Sequence, residues 1–353
     1  MTHIQILLPF GMPPATMAAD LARSLNTPFF ASLVSHAKAS GHQAFEDFSR
    51  TLPHEICLAN QFGLGNSAPY ASSPYMAAAA MQTFGLTQAE GVWYVLNPVH
   101  YHIARDHLVL TDRRQLMLVD AESRALFDAA KPYFDEAGKS LAYGDAETWF
   151  LRADDWDALQ TATPDAACGH NIDIWMPKGG GELAWRKLQN EVQMLWHTHP
   201  VNEAREARGL NPVNSLWLWG GSYREAALEQ LPLRNPYSDL FNMAGWNSAF
   251  AQFPRNKQGC SAADVIAAKP VHGLLVLDQL IGPALANDWS GWLAQMETLE
   301  RDWFTPMLQA IKAGKVDHLS LILNHASGLR EFGIGKHSLR KFWVKSSLAR
   351  LLP

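Results

Sequence analysis

The sequence predicts a layered α/β domain, residues 1–89 and 231–353, interrupted by a smaller inserted α+β domain, residues 90–230. Three observations carry this. Short apolar runs alternate with helical periods at both ends of the chain, the pattern of a parallel sheet covered on both faces. Between them, the strands are shorter and the turns denser. Finally, 353 residues at 48% hydrophobic content are enough for two domains or one large interrupted domain.

Taken in order, Ile4 to Leu8 reads as a buried strand. After the turn formers Gly11 to Pro14, Met17, Leu21 and Leu25 follow a helical period. Thr27 and Pro28 predict an N-cap and first position for another helix. In the middle, Trp93 to Leu96, Leu108 to Leu110 and Trp149 to Arg152 read as short strands. Glu182 to Trp196 is predicted to be a helix with Trp185, Leu188, Val192 and Leu195 on one face, ended near His199 by Pro200. His199, Asn202 and Arg205 share a helix at i, i+3 and i+6, and Gly209 stops it. Ser215 to Trp219 then forms a strand, closing in a turn at Gly220-Gly221-Ser222 before a helical pattern from Tyr223. Returning to the larger domain, Gly273 to Leu277 and His318 to Leu323 are strands separated by an amphipathic stretch from Trp289 to Ile311.

Composition excludes several classes. With 29 basic against 34 acidic residues, no global basic field gathers phosphate backbones, so nucleic acid is not the expected partner. Cys57, Cys168 and Cys260 are few and far apart, which argues against a disulfide framework or a thiolate zinc site. The opening MTHIQILLPFGMPP lacks a basic n-region, and no stretch reaches 18 apolar residues without a charge. A cytoplasmic protein without membrane association is the expectation.

Each candidate constellation has a plain alternative. His197 and His199, with His170 upstream, suggest a metal site, but an HxH pair on a helix points its imidazoles to different faces, which favours capping. Ser222 lacks a GxSxG context. Asp112-Arg113-Arg114 suits a carboxylate or phosphate through bidentate guanidinium contacts; its alternative is a solvated turn with a local ion pair. Backbone N–H groups at Gly220 and Gly221 suit an anion at a helix start; the alternative is a tight turn beneath bulky tryptophans.

The stretch HPVNEAREARGLNPVNSLWLWGGS, residues 199–222, resembles a segment of the archaeal-type cofactor-independent phosphoglycerate mutases. ILLPFG, LARSLNTPFFASLVSHA, MAAAAMQTFGLTQAEGVWYVLNPV with LTDRR, and NHASG with a later KHS look like collinear segments of that family. As a whole, the chain resembles the bacterial RpfE-type regulatory proteins, a group distantly similar to these mutases. The resemblance implies an alkaline-phosphatase-like fold with an inserted domain. It also implies two-metal phosphoryl transfer, which requires carboxylates, imidazoles and a serine or threonine nucleophile.

The departures from that pattern decide the functional expectation. Pro9 and Phe10 stand where the resemblance implies the first carboxylate, and PHEICLANQFG contains no Ser or Thr; Ser67, Ser72 and Ser73 lie just downstream. Asp278 has no following His, and an expected Asp is Asn324, whereas His325 and His337 remain. A neutral amide does not offset the charge of two divalent cations. The expectation is a catalytically degenerate binding or regulatory protein with no metal and no cofactor. The alternatives are an enzyme with an altered metal site acting on a small phosphorylated metabolite, and an interaction module whose tryptophans face a partner. A small anion is the expected ligand, held by Arg113, Arg114, His199, Asn202, Arg205, Gly220 and Gly221 in a cleft that Asp278 and Asn324 face from the strand ends.

Overall fold

The computed structural model describes residues 1–65, 71–86, 90–224, 235–243, 256–341 and 343–352. The chain divides into two compact units, Met1–Asp47 with Arg234–Pro353, and Phe48–Leu233. The first crossing thus precedes the expected one at residue 89, and residues 48–89 belong to the second unit.

The first unit opens with β1 (His3–Leu8), α1 (Ala18–Ser24), α2 (Pro28–His36) and β2 (Lys38–Ala44). The second unit follows with α3 (Pro53–Gln61), α4 (Ala77–Thr83), β3 (Gly91–Val99), β4 (Tyr101–Ile103), β5 (Leu108–Leu110) and α5 (Asp120–Glu136). It continues through β6 (Ser140–Tyr143), β7 (Trp149–Arg152), α6 (Pro164–Ala167), α7 (Glu182–His197), α8 (Pro200–Ala207) and β8 (Ser215–Arg224). The chain returns to the first unit with β9 (Asp239–Phe241), β10 (Asn256–Lys257), α9 (Ala262–Ala268), β11 (Gly273–Val276) and α10 (Ile281–Leu285). It ends in α11 (Trp289–Leu299), α12 (Thr305–Lys312), β12 (His318–His325) and β13 (Gly328–Gly335).

In the first unit the sheet order is β10-β9-β11-β1-β12-β13-β2. The strands from β10 to β12 are parallel, whereas β13 and β2 pair antiparallel. β1 is central, and Ile4 to Leu8 are buried on both faces, which explains a run that is apolar except for Gln5, whose side-chain amide donates to the Tyr237 hydroxyl at 2.9 Å. The two-residue link Ala326-Ser327 makes β13 a hairpin partner of β12. β2 is almost wholly exposed and carries no apolar alternation that sequence reading can detect.

Pro28 opens α2, but its N-terminus is capped differently from the expectation. The Thr27 hydroxyl makes no cap bond; the Glu300 carboxylate accepts from the amides of Phe29 (2.5 Å) and Phe30 (2.9 Å). Glu300 begins a single π turn, Glu300–Phe304, between α11 and α12. Pro306 has no N–H to offer the carbonyl four residues back, and the wider turn accommodates this. Replacing Glu300 by alanine leaves two helix N–H groups without their acceptor. Urea unfolding should show a loss of about 1–2 kcal/mol, much of it restored by glutamine.

The second unit holds a four-stranded antiparallel sheet, β6-β7-β3-β8, and a separate β4–β5 hairpin. α4 packs on β3 and β8, and the Met76 amide donates to the Gly220 carbonyl at 3.0 Å; these contacts draw residues 48–89 into this unit. α7 ends at His197, and Pro200 opens α8 with His199 as its N-cap. The glycine pair is a correction. β8 runs through Gly220 and Gly221 to Arg224, so no turn-to-helix junction follows Trp219; residues 225–234 lie outside the described residues. The glycines lie at a register shift against Trp93 and Val95. Gly220 has φ +69, and a Cβ on Gly221 would stand 2.4 Å from the Tyr94 ring.

Among the described residues, most tryptophans are core residues. Trp149, Trp156, Trp185, Trp196, Trp217, Trp219 and Trp292 are each under 2% exposed, whereas Trp343 is 68% exposed.

Candidate functional site

Parallel pairing brings the carboxyl ends of β1, β11 and β12 to one edge of the first unit's sheet, where open α/β sheets hold ligands. Asp278 is exposed there, two residues beyond β11. Phe10 is 7% exposed with φ 56, and its amide donates to the Asn324 side-chain oxygen at 3.3 Å. The Asn324 amide nitrogen donates to the His325 carbonyl (3.1 Å), the Asn324 carbonyl accepts from the Met12 amide (3.1 Å), and the Trp292 indole donates to the Phe10 carbonyl (2.9 Å). Asn324 is fully buried and serves the turn after β1. A carboxamide giving and taking hydrogen bonds beside a phenylalanine does not fit a pair of divalent cations.

The remaining expected positions do not converge. His325 pairs with Gly328 at one end of the β12–β13 ladder, while His318 pairs with Gly335 at the other. His337 comes two residues after Gly335, whose ladder partner His318 is seven residue steps, roughly 23 Å, from His325. The hairpin thus separates two histidines that the resemblance groups. The His325 ring accepts from the Ser327 amide at 3.2 Å, and burial, then Arg330 and His42, hold its pKa below the usual imidazole value. Among the described residues, no three His, Cys, Asp or Glu side chains form a group able to hold a metal ion.

The second unit contains a denser ionisable cluster. Asp112 caps the short turn Arg113–Gln115, accepting from the Arg114 amide at 3.0 Å. The Arg114 guanidinium forks onto Asp165 at 3.0 and 3.1 Å and reaches Asp112 at 3.2 Å. Thr163 and Pro164 start α6 and place Asp165 there, 3% exposed. Burial works against the Arg114 charge, but Asp165 and Asp112 outweigh it and raise its pKa. From α3, Glu55 is 1% exposed; one carboxylate oxygen accepts from Thr163 (2.6 Å) and the Leu52 amide (2.8 Å), and the other has no hydrogen-bond partner. Burial first, and Asp165 second, push the Glu55 pKa up to about 8. Burial takes the neighbouring His54 down to about 4 and the Cys168 thiol up to about 12, so that thiol is a poor nucleophile. Arg113 is close enough to bias Glu55 and Asp165; its Nε is buried without a partner, and one terminal nitrogen stands 3.6 Å from Glu147.

Arg205 and Asn202, expected as anion donors, are both engaged by groups of the protein itself. Arg205 is 0% exposed. Its Nε donates to the Asn211 carbonyl (2.9 Å), one terminal nitrogen pairs with Glu122 (2.5 Å), and the other donates to the Leu116 carbonyl. Asn202 donates to the Trp196 and Val213 carbonyls and accepts from the Val213 amide, each at 2.8 Å. Both brace residues 211–213. The His199 ring accepts from the Val201 amide as a helix cap. The Gly220 amide is taken by the Ser73 hydroxyl at 2.9 Å. That same hydroxyl meets Thr161 at 2.7 Å, while the Ser72 hydroxyl accepts from the Thr161 amide at 3.2 Å. Ser73 is therefore a core residue, and Ser67 lies outside the described residues. In PHEICLANQFG the sequence signal for the ionisable cluster is the adjacent titratable pair His54 and Glu55 after Pro53, not a hydroxyl.

No protein-family model matches the chain. It is 24% identical over 259 residues to a probable 2,3-bisphosphoglycerate-independent phosphoglycerate mutase of Geobacter sulfurreducens, covering 70% of this chain and 62% of that one. It is 35% identical over 60 residues to a 2,3-bisphosphoglycerate-independent phosphoglycerate mutase of Methanosarcina mazei, covering 17% of this chain and 15% of that one. The chain thus spans less than two thirds of the length of these relatives. A solved structure of a Pyrococcus horikoshii protein aligns over 95% of this chain and 87% of its own, with TM-score 0.54 and 12% identity. No helix of the described residues is long and apolar enough to cross a membrane. The chain is thus similar, at low identity, to 2,3-bisphosphoglycerate-independent phosphoglycerate mutases, and it shares its mixed α/β fold with the Pyrococcus horikoshii protein.

Proposed function

We propose that this chain is a phosphoglycerate-mutase-like protein without mutase chemistry, acting as a binding or regulatory protein in the manner of the RpfE-type family. The observation that carries this reading is the bond from the Phe10 amide to Asn324. At the sheet edge where phosphoryl chemistry calls for charge-balancing carboxylates, a buried amide organises the backbone. A small anionic or phosphorylated ligand fits the reading, with Arg113 and Arg114 as its donors in the second unit; of these, Arg113 carries the buried Nε without a partner.

A second reading is a phosphomutase- or phosphatase-like enzyme with an altered metal site, acting on a small phosphorylated metabolite. It is favoured by the cluster of Glu55, Asp165 and Arg114, whose shifted carboxyl is typical of acid–base sites. Elemental analysis and mutase assays separate the two. Protein purified without added metal should carry less than one equivalent of manganese or zinc and show no mutase turnover. Two stoichiometric ions, or robust turnover, overturn the first reading. In calorimetry with phosphorylated three-carbon acids and sulfate, Arg113→Ala should lose binding that Arg208→Ala retains.

A further inference from the structure

The net charge of −5 conceals an uneven distribution. Beyond Glu331 lie five of the 29 basic residues and none of the 34 acids, so residues 332–353 hold +5 and residues 1–331 hold −10. The segment is tied down at both ends. β13 leads into it, and at its far end Arg350 donates to the carbonyls of Val34 (2.8 Å) and Ala37 (2.6 Å) and lies 5.2 Å over the Phe332 ring. Arg330 donates to the Leu352 carbonyl at 3.0 Å, and the Ser347 amide donates to the Ser35 hydroxyl at 2.8 Å.

Between these anchors Lys336, Arg340, Lys341 and Lys345 are exposed, and among the described residues none of them is in an ion pair. The Lys336 ammonium is 3.5 Å from where a Cβ on Gly314 would stand, in the turn that also carries exposed Lys312 and Lys315. Trp343, among these cations, is 68% exposed, in contrast to the buried tryptophans of the core.

We propose that Lys336, Arg340, Lys341, Trp343 and Lys345 form a binding surface for single-stranded nucleic acid, with the four cations following the phosphates and Trp343 stacking on a base. Uncompensated like charges held in one fixed segment repel one another, and a polyanion relieves that repulsion. An exposed aromatic among cations is the pairing that single strands use, because every base offers a π-face. A flexible strand follows a short basic stripe and avoids the acidic remainder of the chain, which a stiff duplex does poorly. A bilayer surface needs a broader apolar face, yet Trp343 is the one large hydrophobic side chain exposed among the described residues of the segment, which forms no α-helix. An acidic polypeptide would use the cations and leave the ring without a role.

Fluorescence anisotropy with a labelled twelve-residue oligouridylate at 50 mM salt tests the proposal. Wild-type protein should bind, with log affinity falling linearly in log salt. The triple variant Arg340→Ala, Lys341→Ala, Lys345→Ala should weaken binding at least tenfold. Trp343→Ala should weaken it at least fivefold, while Trp343→Phe retains most of it. A control with equal charge loss in the other unit, Lys131→Ala, Arg186→Ala, Lys187→Ala, should stay within twofold of wild type. Circular dichroism confirms that each variant is folded. Absence of binding at 50 mM salt, equal weakening by the control triple, or preference for phosphatidylserine vesicles or polyglutamate over the oligonucleotide overturns the proposal.

Discussion

Arg205→Ala is expected to lower the unfolding free energy by about 3–5 kcal/mol, the cost of breaking a buried charge pair by removing one member. Arg205 is fully buried, and three separate stretches converge on it: Glu122 at the start of α5, the Leu116 carbonyl before it, and the Asn211 carbonyl after α8. Removing the guanidinium leaves two carbonyls without donors and Glu122 with only Arg208, which is itself half exposed. Arg205→Lys restores charge but not the fork, so it should recover only part of the loss. Chemical denaturation followed by far-UV circular dichroism reads both. Anion calorimetry on the folded variant separates support from ligation: unchanged anion affinity in a destabilised protein is the expected pair of results, and lost affinity at unchanged stability contradicts the structural role given to Arg205.

Sequence alone reveals elements whose burial is one-sided or complete, because there the apolar pattern follows from packing. β1, β11 and β12 are apolar runs buried between helices, and α7 shows its face at Trp185, Leu188 and Val192. β2 was invisible because an exposed edge strand is specified by its partner β13, not by its own side chains. The α2 cap was misassigned for a similar reason. Thr27 sits in the right place, but the acceptor comes from Glu300, about 270 residues away, where Pro306 forces a π turn. Gly220 and Gly221 read as a turn because glycine marks both turns and bulges, and only the pairing with β3 distinguishes them. At the candidate site, Arg113 and Arg114 were legible through their spacing after β5. Glu55 and Asp165 were not, since 108 residues separate Glu55 from Thr163, which binds its carboxylate.

Glu55 gives the larger pH effect. Its carboxyl is raised from an ordinary value of 4.5 to about 8, so the folded state holds a proton that the unfolded chain releases near pH 4.5. The associated stability is fully present below pH 4.5 and is lost progressively as pH rises through about 8. Over that window the linkage amounts to roughly 2–5 kcal/mol, taking 1.36 kcal/mol per pKa unit and allowing for the opposed influence of Arg113. Asp165 titrates in the other direction. Its carboxyl is held low by Arg114 and Arg113 against burial, so its contribution is present above the unfolded value and lost in acid. The two slopes give a stability maximum between them. Glu55→Gln keeps an oxygen for Thr163 and the Leu52 amide and removes the titration. The variant should match wild type near pH 5 and exceed it by a few kcal/mol at pH 9, with the alkaline slope flattened. Urea midpoints measured at unit steps from pH 4 to 9 test this. If the alkaline slope persists in Glu55→Gln, another group carries it, and Glu55 is already ionised at neutral pH beside the Arg113 and Arg114 guanidiniums.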